Sequence, residues 1–320
     1  MSASAEWDAL ERALAAGGLG EIEVVHRRPS EYRTSFPIEE LEVERLGPGR
    51  ATIVCKRPDW DELDATAQLA KPRFLHDPER EACVYERLLP RGPAGPPRYL
   101  GAALEGGRSW LFIESIEGRN LFQVGELGLW EEAARWLARF HAAFAGDPRH
   151  LLRRCPLVER DADFYRGWIS RALEFSREPE GPSPAAVEWL SERHEPVVEA
   201  LRALPQTIVH GEFYASNVLV DDRAAVPRVA PVDWELAGTG PGVLDLAALV
   251  SGWPAADREA MREAYANACG GLLDPRDLEL ARLQVAIQWL GWAPPAWRPP
   301  ASQCHDWEAE AVAIAEGLGL

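Results

Sequence analysis

The sequence predicts an α+β fold of two lobes, in which a small antiparallel sheet precedes a larger and mostly helical part. Strand-like alternation of apolar and polar residues, broken by Gly and Pro turns, is confined to residues 21–114. Beyond that segment the apolar spacing is helical almost everywhere. At 320 residues the chain is also long enough for two lobes that share a cleft.

The first lobe is predicted to span residues 1–115 and to contain five antiparallel strands and a helix. A Gly-Pro-Gly turn precedes the strand that ends at Lys56. The helix is predicted over Asp77–Leu89, with Asp77 as its N-cap and Pro78 at its first position. The other predicted strands are Ile22–His26, Ile38–Arg45, Arg98–Leu104 and Ser109–Glu114.

The second lobe, residues 116–320, is predicted to be helical apart from one hairpin. Between Leu129 and Ala145 the apolar side chains recur three and four positions apart, which is typical of a helix packed on a core. Two short apolar runs, Val218–Val220 and Val229–Val232, flank a polar loop and predict the hairpin. The remaining predicted helices are Ala162–Phe175, Ser183–Ala203, Ala256–Ala268, Pro275–Trp289 and Asp306–Leu318.

The net charge of −17 argues against a nucleic-acid partner, because a protein that binds phosphate backbones needs a basic surface. An acidic chain would favour a small cationic ligand. The alternative interpretation is that the charge only keeps the protein in solution.

The cysteines and the N-terminal segment indicate a cytoplasmic protein. The five cysteines are odd in number and form no CxxC pair, so we interpret them as reduced thiols that serve packing. Residues Met1 to Ala15 look helical and lack the basic start and apolar stretch of a signal peptide. No run approaches the roughly 18 apolar residues of a membrane span, so no membrane partner is expected.

The segment His210–Asn217 carries the most informative spacing. A carboxylate, Glu212, follows His210 by two residues, and the amide of Asn217 follows that carboxylate by five. In the kinase loop H-x-D-x-x-x-x-N, the acid accepts the proton of the attacking hydroxyl and the asparagine helps to hold magnesium. The predicted hairpin then ends at Asp233, where a second metal-binding carboxylate is needed.

These residues resemble the aminoglycoside phosphotransferase and choline kinase superfamily, whose usual pattern is HGDxxxxN, a hairpin, an IDWE-like stretch and a later DLA. The corresponding segments are HGExxxxN from His210, VDWE from Val232 and DLA from Asp245. The resemblance runs from about residue 21 to about residue 253. It implies a protein-kinase-like fold, ATP or GTP as co-substrate, Mg²⁺, and a small hydroxylated acceptor, in a monomer or homodimer.

The resemblance also assigns residues to the nucleotide site. Lys56 would bind the α- and β-phosphates and pair with a glutamate of the following helix, for which Glu81 is the first candidate and Glu86 the alternative. Of the 34 basic residues only two are lysines, which singles out Lys56. The other lysine, Lys71, precedes a proline in a polar stretch and is predicted to lie at the surface.

The predicted nucleotide loop, Pro29–Pro37, contains no G-x-G-x-x-G. By the resemblance, the hydroxyls of Ser30, Thr34 and Ser35 and the local amides would cap phosphates. The alternative is an ordinary connecting loop.

The hinge between the lobes is predicted at Glu114 to Ile116, where backbone groups would bind the nucleotide base. Nothing in this segment selects ATP over GTP. Asp245 follows a Gly-Pro-Gly segment and is expected to act as a helix N-cap that braces the catalytic loop.

Glu212 stands where the superfamily has aspartate, and its extra methylene moves a base by roughly 1 Å. A catalytically weak or inactive regulator that binds nucleotide is therefore the alternative to an enzyme. The presence of Lys56, Asn217 and Asp233 favours the enzyme. A protein acceptor is disfavoured, because only eleven residues separate Asp233 from Asp245 and leave little room for a peptide platform.

The acceptor is expected to carry a hydroxyl on a cationic molecule, such as an aminoglycoside or an amino alcohol. Thirteen tryptophans suggest an aromatic cage for a quaternary ammonium group, although core packing explains most tryptophans equally well. The candidates for such a cage are Trp289, Trp292, Trp297 and Trp307, together with Trp168 and Tyr165.

Overall fold

A five-stranded antiparallel sheet forms the N-terminal lobe, in the strand order β1-β2-β3-β5-β4. The computed structural model describes residues 3–30, 36–44, 49–146, 148–297 and 305–320. A helix, Ala3–Ala16 (α1), precedes the sheet. The strands are Glu23–Pro29 (β1), Ile38–Glu44 (β2), Ala51–Lys56 (β3), Tyr99–Glu105 (β4) and Arg108–Glu114 (β5).

The two faces of this sheet pack against different parts of the chain, because successive side chains of a strand point to opposite sides. Leu10 and Leu14 of α1 pack on one face, which includes Cys55 of β3. The opposite face of β5, which includes Leu111, joins the larger core. Lys56 follows Cys55 directly, so its side chain lies on the face turned away from α1 and towards the cleft.

The connection from β3 to β4 is helical but irregular. It contains Ala65–Ala70 (α2), Arg80–Cys83 (α3) and then a wider π-helical turn, Val84–Leu88. The helix predicted over residues 77–89 therefore begins two residues late, at Arg80 instead of Pro78, and its N-cap is Glu79 instead of Asp77. Asp77 Oδ1 accepts a hydrogen bond from Glu79 N at 2.9 Å, and this local turn competes with the first helical turn. Helix α2 was not predicted from the sequence.

The C-terminal lobe is mostly helical, and the six helices predicted there are confirmed to within two residues at each end. Together with the sheet lobe, this confirms the predicted α+β, two-lobed architecture. The helices are Leu127–Ala143 (α4), Arg149–Leu152 (α5), Ala162–Phe175 (α6), Pro184–Ala203 (α7), Val243–Leu249 (α8), Ala255–Cys269 (α9), Pro275–Leu290 (α10) and Trp307–Gly317 (α11). In the parts of the chain that the structure describes, no helix combines the length and apolar composition that a membrane crossing needs.

Two small sheets lie inside this lobe and hold the segment predicted to be catalytic. The predicted hairpin is confirmed and pairs with a short strand to give the order β10-β9-β6, and the second sheet has the order β7-β11-β8. The strands are Arg119–Asn120 (β6), Val158–Glu159 (β7), Gln206–Val209 (β8), Val218–Asp221 (β9), Arg228–Pro231 (β10) and Gly238–Pro241 (β11).

The second of these sheets was not predicted, because β11 reads Gly-Thr-Gly-Pro and is buried throughout. It shows neither the alternation nor the β-branched residues of a typical strand. A Cβ at Gly238 would lie 2.1 Å from Val158 O, so only glycine permits this approach of the two strands.

The prediction that all cysteines are reduced is wrong in the structure, which contains a Cys83–Cys155 disulfide with a Cα–Cα distance of 5.7 Å. The two residues are 72 positions apart, and only the fold brings them together. Cys55 is a free, buried thiol and Cys269 is free and exposed, while Cys304 lies outside the described residues. The cysteines therefore do not indicate a reducing compartment, and a cytoplasmic location stays a prediction.

Removing the disulfide is expected to lower the free energy of unfolding by about 4 kcal/mol, because the bond restricts a long loop of the unfolded chain. The test is urea unfolding of the oxidised protein and of a Cys83→Ala/Cys155→Ala variant. Reductant should destabilise the wild type and a Cys269→Ala control but not the double variant. Equal stability of all three proteins, with or without reductant, would contradict the disulfide.

Candidate active site

The predicted catalytic loop begins where β8 ends, at a buried histidine. His210 Nε2 lies 2.9 Å from Val232 O, and Glu212 N donates to His210 Nδ1 at 3.3 Å. Both bonds fit a neutral ring protonated on Nε2, and burial lowers the pKa of His210. The ring therefore ties the loop to the hairpin and has no free nitrogen with which to act as a base.

Only a residue without a side chain fits at the position of Gly211. Its φ is +92°, and a Cβ would lie 2.4 Å from Leu236 O and 2.2 Å from the Arg160 guanidinium. The loop thereby passes close to the chain that follows Asp233.

Asp245 holds the start of the loop that begins at His210, but it does not do so as the predicted N-cap. It is the third residue of α8, whose N-cap is Gly242. Its carboxylate accepts hydrogen bonds from His210 N at 2.6 Å and Gly211 N at 2.8 Å, and it lies 3.2 Å from His141 Nε2. Burial opposes its ionisation, yet the contact with His141 helps to hold the pKa of Asp245 below its usual value.

Replacing Asp245 by Ala is expected to lower stability by roughly 1–3 kcal/mol for each buried N–H left without an acceptor, and to slow transfer because the loop moves. Denaturant unfolding and initial rates measure the two effects. Asp163→Asn is a matched control, since that side chain is 90% exposed on α6. If Asp245→Ala had the stability and rate of this control, Asp245 would not brace the loop.

Glu212 lies in the loop between β8 and β9. Burial raises the pKa of Glu212 to about 8, and the charge of Glu235 acts in the same direction, while Lys71 and Lys56 oppose it. A carboxylate with a raised pKa is a stronger base once it is ionised. At pH 7 the side chain is therefore largely protonated, and only its ionised fraction can act as a proton acceptor.

Asn217 and Asp233 are joined by the backbone of their segments, because Val232 N donates to Asn217 O at 2.9 Å. Asn217 Nδ2 donates to Glu212 O at 3.0 Å, so the amide oxygen is the atom left to bind a ligand. Asp233 adopts the left-handed conformation, with φ 65° and ψ 60°, which is rare for a residue other than glycine. Such strain commonly marks a functional position.

Lys56 crosses the cleft. Its Nζ lies 2.6 Å from Glu81 Oε2 and also pairs with Asp233 of the other lobe. Glu81 Oε1 in turn accepts from Trp234 N at 3.3 Å. Glu86, the alternative partner from the sequence, pairs instead with Arg87 on an exposed surface.

These charges determine one another's protonation. Burial opposes the ionisation of Asp233, but Lys56 and then Lys71 hold its pKa below its usual value. Burial raises the pKa of Glu81 to about 7 although Lys56 opposes the change. A further positive charge near Glu81 and Asp233 would therefore favour the ionised form of both carboxylates.

The prediction that Lys71 lies at the surface is wrong. Its side chain is only 9% exposed, and its ammonium group pairs with Glu235, two residues after Asp233. The β3–α3 connection folds back over the cleft, which the local sequence did not indicate. The rarity of lysine in this chain was the one signal that could have pointed to it.

The predicted phosphate loop is only partly described. Ser30 is buried, its amide donates to Ile38 O at 2.9 Å, and its hydroxyl donates to Glu40 Oε1 at 3.1 Å. Thr34 and Ser35 lie outside the described residues. The phosphate-binding role of all three hydroxyls stays a prediction.

The predicted hinge follows β5. Glu114 N donates to Arg98 O at 2.9 Å, and the Glu114 carboxylate accepts from Arg228 Nη1 at 3.0 Å and Nη2 at 2.9 Å. The hydrogen bonds from Arg228 lower the pKa of Glu114. Ile116 O accepts from Gly118 N at 3.1 Å. The Glu114 side chain thus ties the end of the sheet to the hairpin.

An aromatic cluster extends from the catalytic loop to the C-terminal helices. Trp289 Nε1 donates to Tyr214 OH at 2.8 Å, and the Trp289 ring stacks on Trp307 with 5.4 Å between centroids. Both tryptophan rings are half-buried. Trp168 and Tyr165, two other candidates from the sequence, are fully buried and serve core packing.

The sheet lobe, the helical lobe and the carboxylates between them define a kinase-like phosphotransferase fold. The chain belongs to the phosphotransferase enzyme family, whose profile matches residues 43–282. The superfamily predicted from the catalytic motifs is thereby confirmed. A search of curated proteins found no significant match.

Solved structures share this fold at low sequence identity. The GDP complex of an aminoglycoside 2'-phosphotransferase-IIIa has a TM-score of 0.65 and 12% identity, over 99% of this chain and 98% of that one. A macrolide 2'-phosphotransferase from Brachybacterium faecium has a TM-score of 0.61 and 19% identity, over 96% and 97%. A microcompartment-associated aminopropanol kinase has a TM-score of 0.62 and 14% identity, over 98% and 95%.

Proposed function

We propose that this protein transfers the γ-phosphate of ATP or GTP to a hydroxyl of a small molecule in a Mg²⁺-dependent reaction. The observation that carries the proposal is the contact of Lys56 with Glu81 and Asp233 across the cleft. It joins the N-terminal lobe to Asp233, whose segment is hydrogen-bonded through Val232 N to Asn217 O.

The residues present fit a magnesium ion. Mg²⁺ prefers oxygen ligands, and Asn217 and Asp233 offer an amide oxygen and a carboxylate on neighbouring segments. Bound there with the nucleotide, the ion would neutralise charge on the phosphates.

The remaining steps belong to the side chains of the cleft. Lys56 would hold the α- and β-phosphates, and the backbone of the hinge, from Glu114 to Ile116, would bind the base. Glu212 would take the proton of the acceptor hydroxyl while the oxygen of that hydroxyl forms a bond to the γ-phosphorus. The bond from that phosphorus to the bridging oxygen breaks, and the nucleoside diphosphate leaves.

The surroundings of Glu212 favour an acceptor that is hydroxylated and cationic. The Glu212 carboxylate would attract an ammonium group, and it lies near enough to Tyr214 to add to the effect of burial in raising the pKa of that phenol. The Trp289 indole donates to the Tyr214 hydroxyl, so the two rings offer an aromatic surface on this side of the loop. An aminoglycoside, another hydroxylated antibiotic or an amino alcohol is the first class to test.

The second candidate is a catalytically weak or inactive regulator that binds nucleotide, and the observation in its favour is Glu212 itself. The longer side chain places the carboxylate differently from aspartate. Retention of both metal-binding side chains supports the enzyme instead.

A screen tests the proposal. Hydroxylated metabolites and antibiotics are incubated with ATP or GTP and Mg²⁺, and acceptor-dependent formation of ADP or GDP is measured. Asp233→Ala and a reaction with EDTA serve as controls. Nucleotide binding without turnover of any acceptor would favour the regulator. Absence of nucleotide binding would overturn both candidates.

A further inference from the structure

The only two lysines of the sequence, Lys56 at the end of β3 and Lys71 after α2, converge on one site. Lys56 Nζ lies 5.4 Å from the centroid of the Phe36 ring, and Lys71 Nζ lies 4.5 Å from it. Lys56 pairs with Asp233 and Lys71 with Glu235. The two ammonium groups thus face neighbouring carboxylates of the same short segment.

The local sequence fixes the position of Lys71 in the chain fold. Its amide donates to Ala67 O at 2.9 Å, so the residue ends α2. Pro72 cannot continue the helix, and the chain turns there. Lysine side chains are rarely buried without a role in pairing, and this one is 9% exposed against a Glu235 side chain that is 11% exposed.

The cleft contains more carboxylates than Lys56 alone can neutralise. Four carboxylates, those of Glu81, Glu212, Asp233 and Glu235, influence one another's ionisation. The nearby Arg80 does not face the cleft freely, because it donates to the carbonyls of Leu75, Pro156 and Glu235. Among the described residues, Lys56 and Lys71 are the ammonium groups available to an incoming triphosphate.

We propose that Lys71 is a second phosphate-binding residue, which exchanges Glu235 for the terminal phosphoryl group of the nucleotide while Lys56 holds the inner phosphates. The proposal rests on the proposed function. Lys71 pairs with Glu235, two residues after Asp233, and lies over the same Phe36 ring as Lys56, which places it beside the phosphate site proposed for Lys56. Its ammonium group would stabilise the charge on the transferred phosphoryl oxygens.

Nucleotide affinities separate the terminal phosphate from the inner ones. Calorimetry measures the binding of a non-hydrolysable triphosphate analogue and of the diphosphate, each with Mg²⁺, in the adenine and guanine series. In Lys71→Met the triphosphate affinity should fall roughly tenfold or more, since a charged hydrogen bond is lost. The diphosphate affinity should change much less. Lys71→Arg should retain part of the triphosphate preference.

Arg73→Met is the matched control, because Arg73 belongs to the same connection, is exposed, and lies over the Trp60 ring at 4.9 Å. It should leave both affinities as in the wild type. Equal losses for diphosphate and triphosphate in Lys71→Met would show a merely structural role and overturn the proposal, as would no loss at all. If the wild type binds neither nucleotide, the proposed function itself fails.

Glu235→Gln provides a second arm that does not depend on the folding of Lys71→Met. Weakening the pair should free Lys71 and raise the preference for triphosphate over diphosphate. An unchanged or lower preference in Glu235→Gln would contradict the exchange.

Discussion

Replacing Glu212 by Gln is expected to lower phosphoryl transfer by roughly 10²- to 10⁴-fold, the usual contribution of a positioned general base. The amide cannot take the proton of the acceptor hydroxyl. Nucleotide affinity should stay within a few-fold of the wild type, because the proposed phosphate ligands are unchanged. Initial rates with an acceptor from the screen, and calorimetry with the nucleotide, measure the two quantities.

Two further variants complete this experiment. Glu117→Gln removes an exposed carboxylate that pairs with Arg223, and it should behave as the wild type. Glu212→Asp restores the residue usual in the superfamily and measures how far the loop is adapted to the longer side chain. Unchanged turnover in Glu212→Gln would show that Glu212 is not the base.

Replacing Asp233 by Asn is expected to abolish measurable transfer, with a loss on the order of 10³-fold or more, because a metal ion contributes several kcal/mol to charge stabilisation. Asparagine tolerates the left-handed conformation, so the backbone at φ 65° should persist. The variant loses the anionic side chain of the proposed metal site and one of the two carboxylate partners of Lys56. The dependence of nucleotide affinity on Mg²⁺ should weaken with it.

Circular dichroism and thermal unfolding establish that Asp233→Asn is folded, and a titration of Mg²⁺ against nucleotide affinity gives the decisive measurement. Asp222→Asn is the matched control, since Asp222 pairs with Arg119 beyond the hairpin strand β9. Full Mg²⁺ dependence in Asp233→Asn would remove Asp233 from the proposed metal site.

The helical lobe could be predicted closely because its long helices repeat apolar residues at a regular spacing. The hairpin β9–β10 was equally clear, since two apolar runs flank a polar loop. The short buried sheet that contains β11 could not be predicted, because a strand without a solvent-facing side has no alternation. Its burial depends on segments that are distant in sequence.

The sequence predicts that Lys56 pairs with a glutamate of the following helix, but only the tertiary structure shows which glutamate it is. Glu81 and Glu86 are five residues apart, so on a helix they face different directions, and the sequence left both open. The wider turn over Val84–Leu88 and the packing of α3 place Glu81 in the cleft. The choice is therefore made by packing and not by local sequence.

By itself the sequence determined the two-lobed fold, the order of the catalytic segments and the superfamily, because spacing within one segment survives without knowledge of long-range contacts. Only the tertiary structure decided the disulfide and the burial of Lys71. Lys71 and Glu235 are 164 residues apart, and Cys83 and Cys155 are 72 apart. Such pairs form when separate elements pack together, and no local periodicity records them.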